Sequence, residues 1–543
     1  MDATTRFDTQ IVGALPVITQ YFNRLKLAET IDEWVPWEGE VPLGTLVEIM
    51  IANRLLQPKA LFRVGDWARK AGLTDYYGVT AEQLNDDRLG RALERLNEHA
   101  DAVQCGLVTR AIKVFELRVD QIHFDVTGVE LYGAYELAEG ETPTTPMPAY
   151  GHTKSGRKNV KQIQLGLNVT GDGGVPVGHL PLDGNTAEST THLENLRRLR
   201  RALPKGSLLY IADTKLDTAE NLLGIAAGEG QFLCGGVFTT ALQEEFLKLR
   251  HKLHKVDYYP QSQQALPPEE RDAYQAFEVP ELLEGIVEDC KVRLRYRKIF
   301  VWSEAKARQE GETRERHTAK IREEFETVAK NAGKYSLKTR EAILRRLEAA
   351  KARYAEGKLF EYQLREDRQG GFHLTWKINP RALNHFRQLE GGYLLKTNLS
   401  SRSHPTAKTL GTYKGQSCVE RRFHHLKGPL AVAPMFLKNP ERMSGLLCVL
   451  VWALMVLALM ERQVRCKLKG KPLYGLYPEN RPSPAPTGPA ILDCFSSLCI
   501  VIIKEHGNTS RRLAQPLPIQ QTILRLLGIP PDDLQTFKRR CGM

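Results

Sequence analysis

Ile122-His123-Phe124-Asp125-Val126 sets apolar side chains at every second position, the period of a β-strand with one buried face. Beyond a turn-rich stretch around Pro143 and Pro148, the alternation returns at Ile163, Leu165, Leu167 and Val169. Gly171-Asp172-Gly173-Gly174 then supplies hairpin chemistry before Val175-Pro176-Val177. A helix follows, with Leu193, Leu196, Leu199 and Leu203 as its core stripe and Arg197, Arg198, Arg200 and Arg201 pointing elsewhere. Leu208-Leu209-Tyr210-Ile211-Ala212 is a short apolar run suited to a central strand, and Asp213 directly follows it. Strands in antiparallel order, then a helix, then a buried strand predict an α/β or α+β core.

The flanks read differently. Residues 1–117 look helical: Leu46, Val47, Ile49, Met50, Ile51, Leu55 and Leu56 recur at helical spacing, and Asn85-Asp86-Asp87 opens a helix with Leu89, Leu93 and Leu96 on one face. Arg63, Trp67, Arg69 and Lys70 make a basic and aromatic patch, which suits either a DNA-binding module or an ordinary wet helical face. In residues 236–392, Val292, Leu294 and Tyr296 alternate with Arg293, Arg295 and Arg297. A strand there presents three guanidiniums on one side, which repel unless a polyanion or an acidic partner faces them. Residues 303–357, dense in charge with Gly333 in the middle, suggest a solvated helical hairpin. A strand is expected at Tyr393–Thr397 and a helix from about Thr412. The fifteen consecutive apolar residues Leu446–Met460 lie between Glu441-Arg442 and Glu461-Arg462. A bilayer span needs about 20 residues, so a buried core helix is the expectation. Pro482, Pro484, Pro486 and Pro489 mark a linker to a small C-terminal segment, and no internal repeat is evident.

With 42% hydrophobic and 26% charged residues, the chain of 543 is neither disordered, collagen-like nor a disulfide scaffold. Its net charge of +12 suits a polyanionic partner, although solvated lysines give the same total. Nine scattered cysteines without a C-x-x-C pair read as reduced thiols of a cytosolic protein, and the N-terminus shows no signal-peptide pattern.

Candidate chemistry centres on acids. Asp213, at the carboxyl end of a central strand, holds a position where α/β sheets place active sites, but Asp also suits a helix N-cap there. Asp125 lies mid-strand among apolar alternates, where an unpaired charge is costly unless the residue faces water at an edge. Tyr413, Gln416, Glu420 and Lys427 are spaced to share one stripe of a helix, beside Arg421-Arg422 and His424-His425. A tyrosine, an amide, a carboxylate and an ammonium on one face suit a metal and phosphates; a plain polar helix face gives the same spacing. Gly151-His-Thr-Lys-Ser-Gly-Arg-Lys158 imitates a phosphate loop but lacks the Gly-Lys-Ser/Thr ending, so nucleotide hydrolysis is not expected. No zinc-ligand spacing or Gly-x-Ser-x-Gly elbow occurs.

Together these pieces resemble the DDE transposases of bacterial insertion sequences, in the IS-four superfamily and most like its 1634 branch. The family signature is Tyr, two residues, Arg, three residues, Glu, six residues, Lys. Tyr413, Gln416, Glu420 and Lys427 reproduce that spacing, with Gln416 where the family has Arg. His123-Phe-Asp-Val-Thr-Gly128, the 151–158 stretch, Gly184-Asn-Thr186 and Ile211-Ala-Asp-Thr214 match as well.

The resemblance implies an RNase H-like core interrupted by a large insertion domain. Its parts are a helical N-terminal DNA-binding domain (1–117), the core's first part (118–235), the insertion (236–392), the core's second part (393–470) and a C-terminal linker with a small helical segment (471–543). It further implies that Asp125, Asp213 and Glu420 are catalytic and hold two Mg²⁺ ions about 4 Å apart, with Mn²⁺ as a substitute. Tyr413, Gln416 and Lys427 would contact phosphates, and Tyr393 would stack a flipped base. Arg293, Arg295 and Arg297 would help bind DNA. The implied enzyme binds the terminal inverted repeats of double-stranded DNA, pairs two ends in a homodimer, cuts them and joins the 3′-hydroxyls to target DNA. It needs neither membrane nor nucleotide cofactor and works in the cytoplasm at the nucleoid. The alternatives are a nuclease of the same fold without strand transfer and an inert DNA-binding derivative, the latter hinted at by Gln416.

Overall fold

The computed structural model describes residues 6–537 other than 134, 136–145, 152, 154–155, 158, 261–262, 265, 369–370, 433–434, 436, 506–507, 531 and 535–536. His152, Lys154, Ser155 and Lys158 of the phosphate-loop-like stretch therefore lie outside the described residues. The chain divides into two compact units, residues 1–231 with 415–543, and residues 232–414.

The first unit opens with β1 (Arg6–Ile11) and the helices α1 (Leu15–Leu25), α2 (Leu27–Trp34), α3 (Leu43–Leu56), α4 (Val64–Lys70), α5 (Leu73–Tyr77), α6 (Asp86–Glu98) and α7 (Ala100–Phe115). Its sheet follows: β2 (Gln121–Leu131), β3 (Ala149–Tyr150), β4 (Lys161–Thr170), β5 (Pro176–Leu182), then α8 (His192–Ala202), β6 (Leu209–Ala212) and α9 (Ala219–Ala227). β4 pairs antiparallel with β5 on one side and with β2 on the other, and β2 pairs parallel with β6. The order is β5-β4-β2-β6, as the alternating runs predict. On one face Phe124 packs against Tyr210 and His192 under α8. Asn168 and Asn195 exchange amide hydrogen bonds of 2.8 Å there, and Asn195 also donates to the Tyr210 hydroxyl, so the buried amides are paired.

The second unit contains β7 (Gln231–Gly236, its first residue in the other unit), α10 (Thr240–Leu249), β8 (His254–Lys255), β9 (Tyr274–Val287), β10 (Cys290–Ser303), α11 (Glu304–Asn331), α12 (Arg340–Ala352), β11 (Phe360–Glu366), β12 (Phe372–Ile378), α13 (Pro380–Leu389), β13 (Gly392–Thr397) and α14 (Thr406–Lys414). β7, β13, β10, β9 and β8 form one antiparallel sheet. β13, expected to open the second part of the core, instead lies inside this unit because it pairs with both β7 and β10. The charged stretch is the expected helical hairpin, α11 and α12. Its apolar residues Ile321, Phe325, Ile343 and Leu347 pack with Leu359 and Phe360 into a core of their own.

Back in the first unit come α15 (Ser417–Lys427), α16 (Pro440–Leu468), α17 (Gly488–Asp493), β14 (Cys499–Glu505), β15 (Asn508–Leu513) and α18 (Pro518–Leu526). α16 is long and apolar enough to cross a membrane by composition, yet its apolar window is wholly buried in the unit. A helix apolar all round needs cover on every side, and α3, α6, β5, α17 and α18 supply it. Gly445 lets α16 meet α6, because a Cβ there would stand 2.1 Å from the Leu93 carbonyl oxygen. The first and last segments, expected as separate domains, share a sheet: β1 pairs antiparallel with β14 from Arg6↔Lys504 to Ile11↔Cys499, and β14 with β15. The described cysteines are free thiols.

Candidate active site

β2 alternates sides, so His123 and Asp125 face away from the α8 layer that holds Phe124. On their side lies α15. The buried His123 ring has Nδ1 3.0 Å from Oε1 of Gln416, the residue preceding α15, and Gln416 Nε2 donates to the Phe124 carbonyl at 2.8 Å. Since Nε2 is the donor end of the amide, Oε1 accepts, which makes Nδ1 the protonated ring nitrogen of His123. Burial pulls the His123 pKa down to about 4, partly opposed by the Gln416 hydrogen bond, so the ring is neutral at pH 7.

Register brings the two aspartates together. β2 and β6 pair as Gln121↔Leu209, Ile122↔Tyr210 and His123↔Ile211, and Asp125 and Asp213 each stand two residues past the last pair. Asp213 is still extended there (φ −74°, ψ −163°), and neighbouring strands run about 4.8 Å apart. Each carboxylate is steadied by backbone: Asp125 Oδ1 accepts from the Val126 N–H at 2.8 Å, and Asp213 Oδ1 from the Lys215 N–H at 2.7 Å. Asp213 is thus the cap of a short 3₁₀ turn, Thr214–Leu216, at the carboxyl end of β6. Glu420 lies one helical turn beyond Gln416 and is exposed, in the first turn of α15. Lys427, seven residues on and within about 20° around the axis, is exposed at the helix end. Among the described residues no group of three or more His, Cys, Asp or Glu side chains is assembled to hold a metal ion. The donor chemistry of three carboxylates nevertheless suits Mg²⁺, a hard cation with oxygen ligands.

The opposite face of α15 is buried and fixes its orientation. Arg422, 3% exposed, donates to the carbonyls of Gly173 and Gly174, both at 2.7 Å, and pairs with Glu461 of α16 at 2.6 Å. The two glycines adopt positive φ (84° and 63°) in the β4–β5 turn, and Arg422 braces that turn from beneath. Burial alone raises the Glu461 carboxyl, but Arg422 and Arg465 outweigh it and hold the pKa below its ordinary value. The basic run 421–425 is therefore split: Arg422 and His425 are buried, while Arg421 and His424 are exposed.

Other expected residues fall elsewhere. Tyr413 belongs to α14, which a turn at Gly415-Gln416 separates from α15, so the four signature residues do not share one continuous helix. Tyr393 is on β13, largely buried, with a hydroxyl that lacks a hydrogen-bond partner. Lys414 stands 5.2 Å from the Tyr393 ring centre and 5.6 Å from that of Tyr274. Burial raises the Tyr393 phenol and lowers the Lys414 ammonium, which Lys306 lowers further. The arginine strand has acidic partners: Arg293 pairs with Glu284 directly opposite on β9, and the half-buried Arg297 pairs with Glu278 and donates to the Leu399 and His404 carbonyls. Arg295 faces Leu282 and is exposed. In the N-terminal patch Trp67 is core, Arg69 pairs with Asp66, and Arg63 lies over the exposed ring of Phe62.

His123 and the Arg422–Glu461 pair escaped the sequence reading. His123 shares a face with Asp125, which was a usable signal; Glu461 looked like the end of an apolar run, with nothing nearby to name its partner.

Comparison with known proteins adds two findings. Residues 7–103 match a family model described as a domain of unknown function, DUF4277. The fold matches a chain of the cryo-EM structure of a piggyBac transposase synaptic complex with hairpin DNA, at 7% identity and a TM-score of 0.39 over 98% of this chain and 87% of that one. A likeness that weak carries no argument. No curated protein sequence matches the chain.

Proposed function

We propose that the chain is a DNA transposase of the DDE class, with an RNase H-like core. One observation carries the reading. Asp125 and Asp213 stand level on adjacent parallel strands, two residues past the last register pair, and α15 with Glu420 packs on the face that Asp125 shares with His123. The order β5-β4-β2-β6, with only the last pair parallel, supports the core assignment.

Asp125, Asp213 and Glu420 would hold two Mg²⁺ ions, and such ions would supply Lewis-acid activation of water or a 3′-hydroxyl and charge stabilisation at the leaving oxygen of the phosphodiester. Backbone hydrogen bonds aim the two aspartates, and Glu420 lies exposed in the first turn of α15. Lys427 neutralises a neighbouring phosphate from the same side of α15. The substrates are the terminal inverted repeats of the chain's own element and a target duplex, with two ends paired in a homodimer.

The test is a supercoiled plasmid carrying the gene with its native flanks, incubated with the full chain and Mg²⁺. Cutting at inverted repeats is expected, and pre-cleaved ends should become joined to a second plasmid; hydrolysis without joining would indicate a nuclease. Asp125→Asn, Asp213→Asn and Glu420→Gln should each abolish cutting and leave DNA binding largely intact. Substantial Mg²⁺-dependent cutting by any of them refutes the assignment.

A further inference from the structure

Leu209 donates its N–H to the carbonyl of Asp120, so that carbonyl, and by the strand's period of two those of Ile122 and Phe124, point toward β6. The register between the strands ends at His123↔Ile211, and β6 itself ends at Ala212. Phe124 therefore turns its carbonyl to the side where the ladder has run out, level with the gap between Asp125 and Asp213. The group that donates to that carbonyl is Gln416 Nε2, at 2.8 Å, while Oε1 of the same amide meets His123 at 3.0 Å.

We infer that Gln416 is a positioning residue: its amide takes the place of the missing β6 backbone, docks the start of α15 on β2 between the two aspartates, and so sets where Glu420 stands. This rests on the DDE reading above. An amide suits the post because it offers a donor and an acceptor at once, one for a carbonyl and one for a ring N–H. Gln416 stands where the resembling family has Arg, and here its one amide bonds the Phe124 carbonyl and the His123 ring together. Gln416 touches neither cation nor DNA in this role; it acts through Glu420.

The test uses the full chain and Mn²⁺ alone as the probe, with free Mn²⁺ followed by electron paramagnetic resonance. Gln416→Met keeps the side-chain length and deletes both hydrogen bonds. It should weaken Mn²⁺ binding and plasmid cutting by about 10–100-fold, the usual effect of removing a ligand's support, while DNA affinity without divalent cations stays within about twofold. Adding His123→Ala should then cost less than about twofold more, because the two residues form one contact. If Gln416→Met does not fold, His123→Phe, which keeps a buried ring and deletes Nδ1, replaces it with the same readouts. Wild-type Mn²⁺ affinity and cutting in the folded variant overturn the inference, as does a loss of DNA affinity with Mn²⁺ binding intact, which would make Gln416 a phosphate contact. Asp125→Asn separates the two claims. If it loses Mn²⁺ while Gln416→Met does not, only the positioning role fails; if it binds Mn²⁺ like the wild type, the DDE reading fails and the inference with it.

Discussion

Replacing Arg422 by alanine should destabilise the first unit by about 3–5 kcal/mol, the range for removing one partner of a buried ion pair. The structure supports that size. Arg422 is 3% exposed and Glu461 2%, so the abandoned carboxylate cannot turn to water, although Arg465 still pairs with it. The Gly174 carbonyl, also buried, loses its donor from the guanidinium, a further loss of about 1–3 kcal/mol, while Gly173 is exposed and regains water. Arg465 moderates the first loss, which keeps the sum within the stated range. For a cooperative unit of about 360 residues, an unfolding entropy of about 2.1 cal/mol/K per residue converts this to a fall in Tm of about 4–7 °C. Urea titration followed by far-ultraviolet circular dichroism, with calorimetry alongside, measures both. Arg422→Met with Glu461→Met should recover most of the loss, because neither charge is then stranded. A cost below about 1 kcal/mol for Arg422→Ala, or a double variant no better than the single, would refute the reasoning.

Four other outcomes are expected. Glu461 has a folded pKa held below its ordinary 4.5, so its contribution is present above that value and lost as pH falls through the folded one; the stability gap between wild type and Glu461→Gln should narrow in urea titrations from pH 7 toward pH 4. Gly445→Val, whose Cβ would collide with the Leu93 carbonyl, should cost more than about 3 kcal/mol, seen as a collapse of soluble yield or Tm. Arg293→Ala removes an exposed cross-strand pair and should change stability by less than about 1 kcal/mol. Tyr393→Phe deletes a buried hydroxyl without a partner and should leave stability unchanged or raised by about 1 kcal/mol; a clear loss would reveal a hidden acceptor.

β2 and β4 were legible because apolar residues recur at every second position in each, whereas β1, β14 and β15 of the same unit were not read as strands. α16 was legible for the opposite reason, since fifteen apolar residues between charges leave it no solvent face. What could not be read was pairing across distance. Nothing near Arg6–Ile11 announces Cys499–Glu505, and nothing near Arg293 announces Glu284 until β9 and β10 are set in register. The candidate site shows the same limit. Asp125, Asp213 and Glu420 were visible as types and spacings, whereas Gln416 looked like a faulty phosphate ligand until the end of β6 exposed the carbonyl it serves. The stripe from Tyr413 to Lys427 assumed one unbroken helix, and the turn at Gly415-Gln416 interrupts it.

The pairing of β1 with β14 also orders events in time. During synthesis β1 emerges first and must wait for a partner some 490 residues later, about 25–100 s at ordinary translation rates. Residues 232–414 form a contiguous unit and can fold on the ribosome within that wait, while the first unit stays open until its last strand is delivered. α16 still has α17 and α18 to come when it appears, so the nascent chain passes through a stage with its most hydrophobic segment only partly covered. Soluble yield of the full chain should therefore rise when chaperones are co-expressed.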